Sequence, residues 1–275
     1  MWIFHSLFGK IFDILFFPFR SLSSWVGMAF VSFLTGLFML YIFRFTSNQE
    51  GIRKVKNRIK AHLLELRLFK DSFAISFKAQ GSILRHNLKY IGYSARPMLV
   101  MIIPLILIII HLNLWFGYKS LSHGERAILK VKLKEGYDPL EITLSVVPSS
   151  RFAIETPALR IVEENEINWR FRAEEKGIRD IVLVVNGKEI HKKLVVGERS
   201  LSRISPTKVR NNFLAQLLNP GESPLPSDCP IEAIEVVYPS KNMNLFGWHI
   251  HWIIVYFVLS IIIGFALKGV FKVEI

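Results

Sequence analysis

Three long apolar runs mark the chain, near residues 24–45, 97–118 and 247–271, with stretches rich in Lys, Arg and Glu between them. A helix needs about 20 residues to cross the hydrocarbon core of a bilayer, and each run is long enough. The first, Ser24–Phe45, has no ionisable group before Arg44. The second, Pro97–Tyr118, opens with a proline at a favoured first-turn position, carries Pro104 as a kink, and is interrupted only by His111 and Asn113. The third has Trp248, Trp252 and Tyr256 towards its start and Lys268 and Lys272 towards its end, the arrangement of an aromatic belt on one membrane face and snorkelling lysines on the other. The pattern predicts transmembrane helices at 24–45, 97–118 and 247–272, followed by a short tail, 273–275.

Other periodicities fill the gaps. Residues 1–23 begin with a helical stripe of Trp2, Ile3, Phe4, Leu7, Phe8, Ile11, Phe12, Leu15 and Phe19 around His5, Ser6, Gly9, Lys10 and Asp13. That composition fits an amphipathic helix lying in the membrane interface. An uncleaved signal sequence is the alternative, against a non-basic start and the interruption at Asp13. In 46–96, Ile52, Val55, Ile59, His62, Leu66, Phe69 and Phe73 follow three–four spacing, and a second arm through Phe77, Leu84, Leu88 and Ile91 can fold back around Lys70–Gly81. This predicts a coiled-coil-like helical hairpin. Between 119 and 246 the period changes to two, with strands expected at 127–134, 140–147, 158–163, 166–173, 178–185, 188–196 and 232–238 and a short helix at 208–218. Asn186–Gly187 is a two-residue hairpin signal, and seven short strands fit an immunoglobulin-like sandwich. The fold class expected is an α-helical membrane protein with an inserted all-β domain.

Charge orients this layout. The chain carries a net +13, although 51% of its residues are apolar. Segment 46–96 holds 11 Lys and Arg against 3 acidic residues, and short basic loops remain cytoplasmic. The β domain then falls on the opposite side, with the N-terminus outside and the C-terminus cytoplasmic, in a bacterial or archaeal inner membrane. The cations Arg53, Lys54, Lys56, Arg58, Lys60, Arg67 and Lys70 give the hairpin a surface that attracts nascent chains, ribosomal RNA or acidic lipid headgroups. A solvated basic linker is the plainer reading. The sequence shows no dedicated nucleic-acid signature.

The order of a spanning helix, a basic hairpin beginning Ser47-Asn48-Gln49, a spanning helix with Pro97 and Pro104, and a closing third helix resembles the YidC/Oxa/Alb superfamily of membrane protein insertases. The likeness is to its three-helix branch of archaeal YidC-like proteins and endoplasmic-reticulum membrane complex subunits. Leu64-Glu65-Leu66-Arg67-Leu68-Phe69-Lys70-Asp71 sits where that branch has its coiled coil. Bacterial members carry their large outer domain before the core and an arginine inside the groove; here the β domain precedes the third helix, and Arg44 lies near the cytoplasmic end. The resemblance implies a chaperone-like groove among three helices, partly hydrated, that eases polar segments into the bilayer. Ser32, Thr35, Arg44, Ser260 and Lys268 are the groove candidates it implies. Each also has a plainer role: Ser32 and Thr35 can bond their own helix carbonyls, and Arg44 and Lys268 can snorkel.

Enzymatic chemistry finds no foothold. His249 and His251 have no acidic or thiol partner in sequence and read as interfacial anchors rather than metal ligands. Cys229 is the single cysteine, which excludes an intramolecular disulfide. Phosphate-loop, nucleotide and nucleophile-elbow patterns are absent from the sequence, and neither cofactor nor metal is expected. The alternative to an insertase is a non-catalytic anchored subunit whose β domain binds another envelope protein.

Overall fold

The computed structural model describes residues 2–197, 200–245, 247–271 and 273–274, with side chains from Ser6 onward. The side chains of residues 2–5, and Lys272, lie outside the described residues. The chain forms two compact units: 1–27 with 108–253, and 28–107 with 254–275.

In the first unit, α1 (Trp2–Phe16) is followed by a single 3-10 turn, Phe17–Phe19. One face of α1 is buried: Phe12 stacks on His111, with ring centroids 5.4 Å apart, and Phe16 lies against Trp115 and Phe116. The opposite face leaves Leu7, Ile11 and Ile14 exposed. Among the described residues, two helices are long and apolar enough to cross a membrane, α2 (Ser24–Thr46) and α4 (Phe73–Phe116), and between them runs α3 (Gln49–Leu68). The expected break before Pro97 is absent. The second hairpin arm and the second apolar run are one helix of 44 residues through both prolines, about 66 Å at 1.5 Å per residue.

The β domain consists of β1 (Arg126–Leu133), β2 (Leu144–Val146), β3 (Phe152–Ile154), β4 (Leu159–Ile161), β5 (Glu166–Ala173), β6 (Gly177–Val185), β7 (Lys188–Val196), β8 (Thr207–Val209), the short helix α5 (Phe213–Leu218) and β9 (Ile231–Val236). One antiparallel sheet runs β3-β5-β1-β9-β8, with β4 also on β5; a second runs β2-β6-β7. Alternation places Leu129, Val131, Ile167, Phe171, Ile181, Leu183, Leu194 and Ile234 in one shared core, as period two requires when one face of each strand is buried. Asn186 and Gly187 both have positive φ, 49° and 79°, so the β6–β7 hairpin closes on the mirror-image turn that suits strand twist. The stretch expected to be helical over 208–218 is divided between β8 and α5.

The third apolar run begins later than its composition implies. Residues Trp248–His251 are β11, paired with β10 (Asn242–Leu245), and α6 covers only Trp252–Leu267. Its 16 residues extend about 24 Å at 1.5 Å per residue, shorter than the other two apolar helices. Trp248 and the histidines beside it belong to a hairpin rather than to a helix.

Candidate functional site

Within the second unit, α2, α4 and α6 enclose a groove of about 840 Å³. Its walls are built from Met39, Leu40, Met98, Leu99, Ile261 and Phe265, and hydroxyls enter at Thr35, Tyr90, Ser94, Tyr256 and Ser260. The groove forms because α2 and α6 approach closely along one side. A Cβ on Gly36 would stand 3.3 Å from the Ser260 carbonyl and 3.1 Å from Ile263, a tight fit that a glycine relieves and that a larger residue would meet only with a shift of a few tenths of an ångström. Methionine suits such a wall, since its unbranched thioether adapts to differently shaped apolar surfaces.

The five groove candidates separate. Thr35 and Ser260 line the cavity, and the Tyr256 hydroxyl lies against Thr35. Ser32 is fully buried but is not in the wall. Arg44 is exposed and outside the groove, and Lys268 is exposed, its ammonium 5.3 Å from the Phe265 ring centroid. The charged residues therefore do not wet the cavity; its polarity comes from hydroxyls. Among the described residues, the Ser32 and Ser260 hydroxyls have no hydrogen-bond partner. A short polar residue every few turns of an apolar helix is the signal for such a wall, but it also marks ordinary helix self-bonding, so Tyr90 and Ser94 carry no distinct signal in the sequence.

The hairpin differs from its sequence pattern in phase. On α3, Ile52 and Val55 are buried as expected, and Ile52 joins a cluster with Leu40, Phe43 and Val273. On α4, the stripe expected to face α3 points outward: Phe77 is 71% and Leu88 64% exposed. The inward positions are Ala79, Ile83, His86 and Tyr90, and the arms meet with His62 and His86 ring centroids 5.5 Å apart. A coiled coil with an apolar seam is thus not what the second arm builds. Phe73 is likewise exposed. Of the basic residues, Arg53, Lys54, Arg58, Lys60, Arg67 and Lys70 are exposed, while Lys56 pairs with Glu274 at 3.2 Å. The Glu274 amide also donates to Gln49 at 2.6 Å, a closure of the hairpin base by the tail that no sequence pattern announces.

In the β domain, Lys192 and Glu222 form an ion pair whose side chains are 0% and 3% exposed. Lys192 also donates to the Ser205 carbonyl at 2.7 Å. Desolvation pushes the Lys192 ammonium pKa down, and the Glu222 carboxylate opposes that shift. Position 192 is in phase with the core residues Ile190 and Leu194, a signal visible in sequence. The free edge of β7 is occupied: the Lys193 amide donates to Glu222 at 3.1 Å and the Val195 amide to the Tyr238 hydroxyl at 2.9 Å. Strand addition by an envelope partner is blocked at these two positions. No cluster of three or more metal-ligating side chains occurs among the described residues.

No family model and no curated protein matches the chain. Among solved structures, domains 5–6 of the S-layer protein SbsC are similar at 12% identity, over 44% of this chain and 58% of that one, with a TM-score of 0.22. A likeness at that score carries no argument about fold or function.

Proposed function

We propose that the chain is a membrane protein insertase or membrane chaperone, in which the α2–α4–α6 groove receives an apolar segment of a client. The observation that carries this reading is the groove itself: an open apolar cavity of about 840 Å³ with the Ser260 hydroxyl buried and unpartnered. Polar groups in hydrocarbon cost several kcal/mol unless satisfied, so a wall that offers hydroxyls favours segments bearing a polar side chain over wholly apolar ones. The resemblance to the three-helix insertase branch supports the same function. In this reading α6 is a short third span, a length that a locally thinned bilayer accommodates, and the basic hairpin is cytoplasmic. Its outward Phe77, Leu84 and Leu88 beside Lys78, Arg85 and Lys89 then form a surface for capturing clients before insertion.

The test is insertion of a single-span protein into proteoliposomes, read by protease protection. Proteoliposomes containing the chain should protect more of the client than empty ones, and a groove-filling Met98→Trp/Ile261→Trp variant should lose that gain. Equal protection with filled and open grooves would remove the mechanism.

A further inference from the structure

Beyond α6 the chain turns back onto the groove. The Phe271 amide donates to the Leu267 carbonyl at 3.2 Å and the Val273 amide to the Lys268 carbonyl at 2.9 Å, and this turn carries Val273 inward until it is only 6% exposed. Val273 shares one apolar cluster with Leu40 and Phe43 of α2 and Ile52 of α3, and Tyr90 of α4 and Phe271 pack against it. Leu40, Phe43 and Tyr90 are also wall residues of the α2–α4–α6 groove. Where α2 runs into the hairpin, the groove therefore ends on side chains that the cluster around Val273 covers.

Glu274 fastens this turn to the base of α3. Its carboxylate pairs with Lys56 at 3.2 Å and its amide donates to the Gln49 side-chain oxygen at 2.6 Å. The Gln49 amide group donates in turn to the Ser47 hydroxyl, which donates to the Phe43 carbonyl at 2.5 Å. A run of hydrogen bonds thus joins Glu274 to a residue of the groove wall. The fastening is light. The Lys56 and Glu274 side chains are 31% and 43% exposed, and an ion pair that water reaches contributes little. One buried valine and one amide bond supply the rest, so the segment opens locally while the helices stay folded.

We propose that Phe271, Val273 and Glu274 form a strap that closes the hairpin end of the groove and is displaced when a client segment enters. An apolar side chain of the client then takes the place of Val273 on Leu40 and Phe43, so the exchange leaves no apolar surface bare. The inference rests on the insertase reading of the groove and adds its gate. The first test follows access. Proteoliposomes of a Cys229→Ala chain with Ser94→Cys in the groove wall are treated with a membrane-impermeant maleimide from the hairpin side. Labelling scales with the fraction of molecules whose strap is open, so Val273→Asp should raise the Ser94→Cys rate about tenfold. Arg53→Cys, exposed on α3 and outside the groove, should label at one rate in both backgrounds. Gln49→Ala/Glu274→Ala leaves the cluster intact and should raise the Ser94→Cys rate about threefold; it carries the test should Val273→Asp fail to fold. The second test follows insertion. Gln49→Cys/Glu274→Cys joined by a short bismaleimide should lose client protection that the unjoined variant retains. Labelling unchanged in both strap variants, or a joined strap that inserts as fast as an active unjoined one, would overturn the proposal. Labelling that rises while no form of the chain protects the client would keep the strap and remove the insertase reading.

Discussion

The β domain and the helical unit differ in which buried polar groups they satisfy. In the β domain the buried cations are answered: Lys192 has Glu222 and the Ser205 carbonyl, Lys208 donates to the His191 carbonyl at 2.7 Å, and the Tyr238 hydroxyl accepts from Val195, while Asn168 Oδ1 and Gln216 Oε1 are left without a partner. In the helical unit, the Ser260 hydroxyl is left without a partner beside an open apolar cavity, and the Ser32 hydroxyl without one outside its wall. An unsatisfied buried donor costs about 1–3 kcal/mol, so natural cores keep few of them. The contrast separates buried cations that the β domain pairs from a hydroxyl that the groove wall leaves open.

The largest effect that tests this contrast is at Lys192. Lys192→Met leaves the Glu222 carboxylate buried and uncompensated and should destabilise the β domain by about 3–5 kcal/mol, whereas pairing it with Glu222→Leu should recover most of the loss. Chemical denaturation of the protein in detergent measures both. A cost equal in the single and double variants would mean that the pair is not the unit of stability there.

The hairpin gives the next effect. Ala79 is 2% exposed on the inward face of α4, and Ala79→Leu should overpack that seam at about 1–3 kcal/mol. Phe77→Ser, two residues away on the outward stripe, should change stability by less than about 0.5 kcal/mol. The reverse order would restore the apolar seam that the sequence pattern implied.

A smaller effect is pH-dependent. Burial lowers the Lys241 ammonium from 10.5 to about 8. Its folded value lies below its unfolded one, so the protonated side chain disfavours the fold below about pH 8, and that penalty is relieved as pH rises towards 10.5. The wild-type first unit should gain stability across that window relative to Lys241→Met. The Ser200 carbonyl at 2.6 Å and the Phe116 ring face the same ammonium and limit the gain. A parallel pH profile in the variant would place the titration elsewhere. The smallest effect is at Ser32: with no partner to lose, Ser32→Ala should be neutral within about 0.5 kcal/mol or slightly stabilising.

How much of this was legible depended on how local each feature is. Period-two alternation located β1, β5, β6 and β7 nearly to the residue, because a half-buried strand writes its faces directly into its sequence, and Asn186–Gly187 fixed their hairpin. The start of α6 was misplaced because Trp248 and His249 are as compatible with an interfacial strand as with a helix. The α4 seam was misread because period alone does not give phase: Phe77 and Leu88 look like core, yet Ala79 and His86 face α3. Pro97 stands inside a helix that the flanking residues propagate. At the groove, Thr35 and Ser260 were recognisable as polar interruptions, but Arg44 and Lys268 were not separable from them without side-chain positions. The tail contact of Glu274 with Gln49, and the pairing of Lys192 with a glutamate 30 residues away in sequence, are long-range and leave no local pattern.

The most direct test of the central claim is photocrosslinking from single positions to a radiolabelled nascent single-span segment stalled on ribosomes. Photoreactive residues at Met98 and Ile261 face the groove, while Phe45 and Ile103 are exposed and outside it. The account expects client adducts from Met98 and Ile261 and only background from Phe45 and Ile103. Equal labelling from all four positions, or adducts confined to the outer pair, would contradict it.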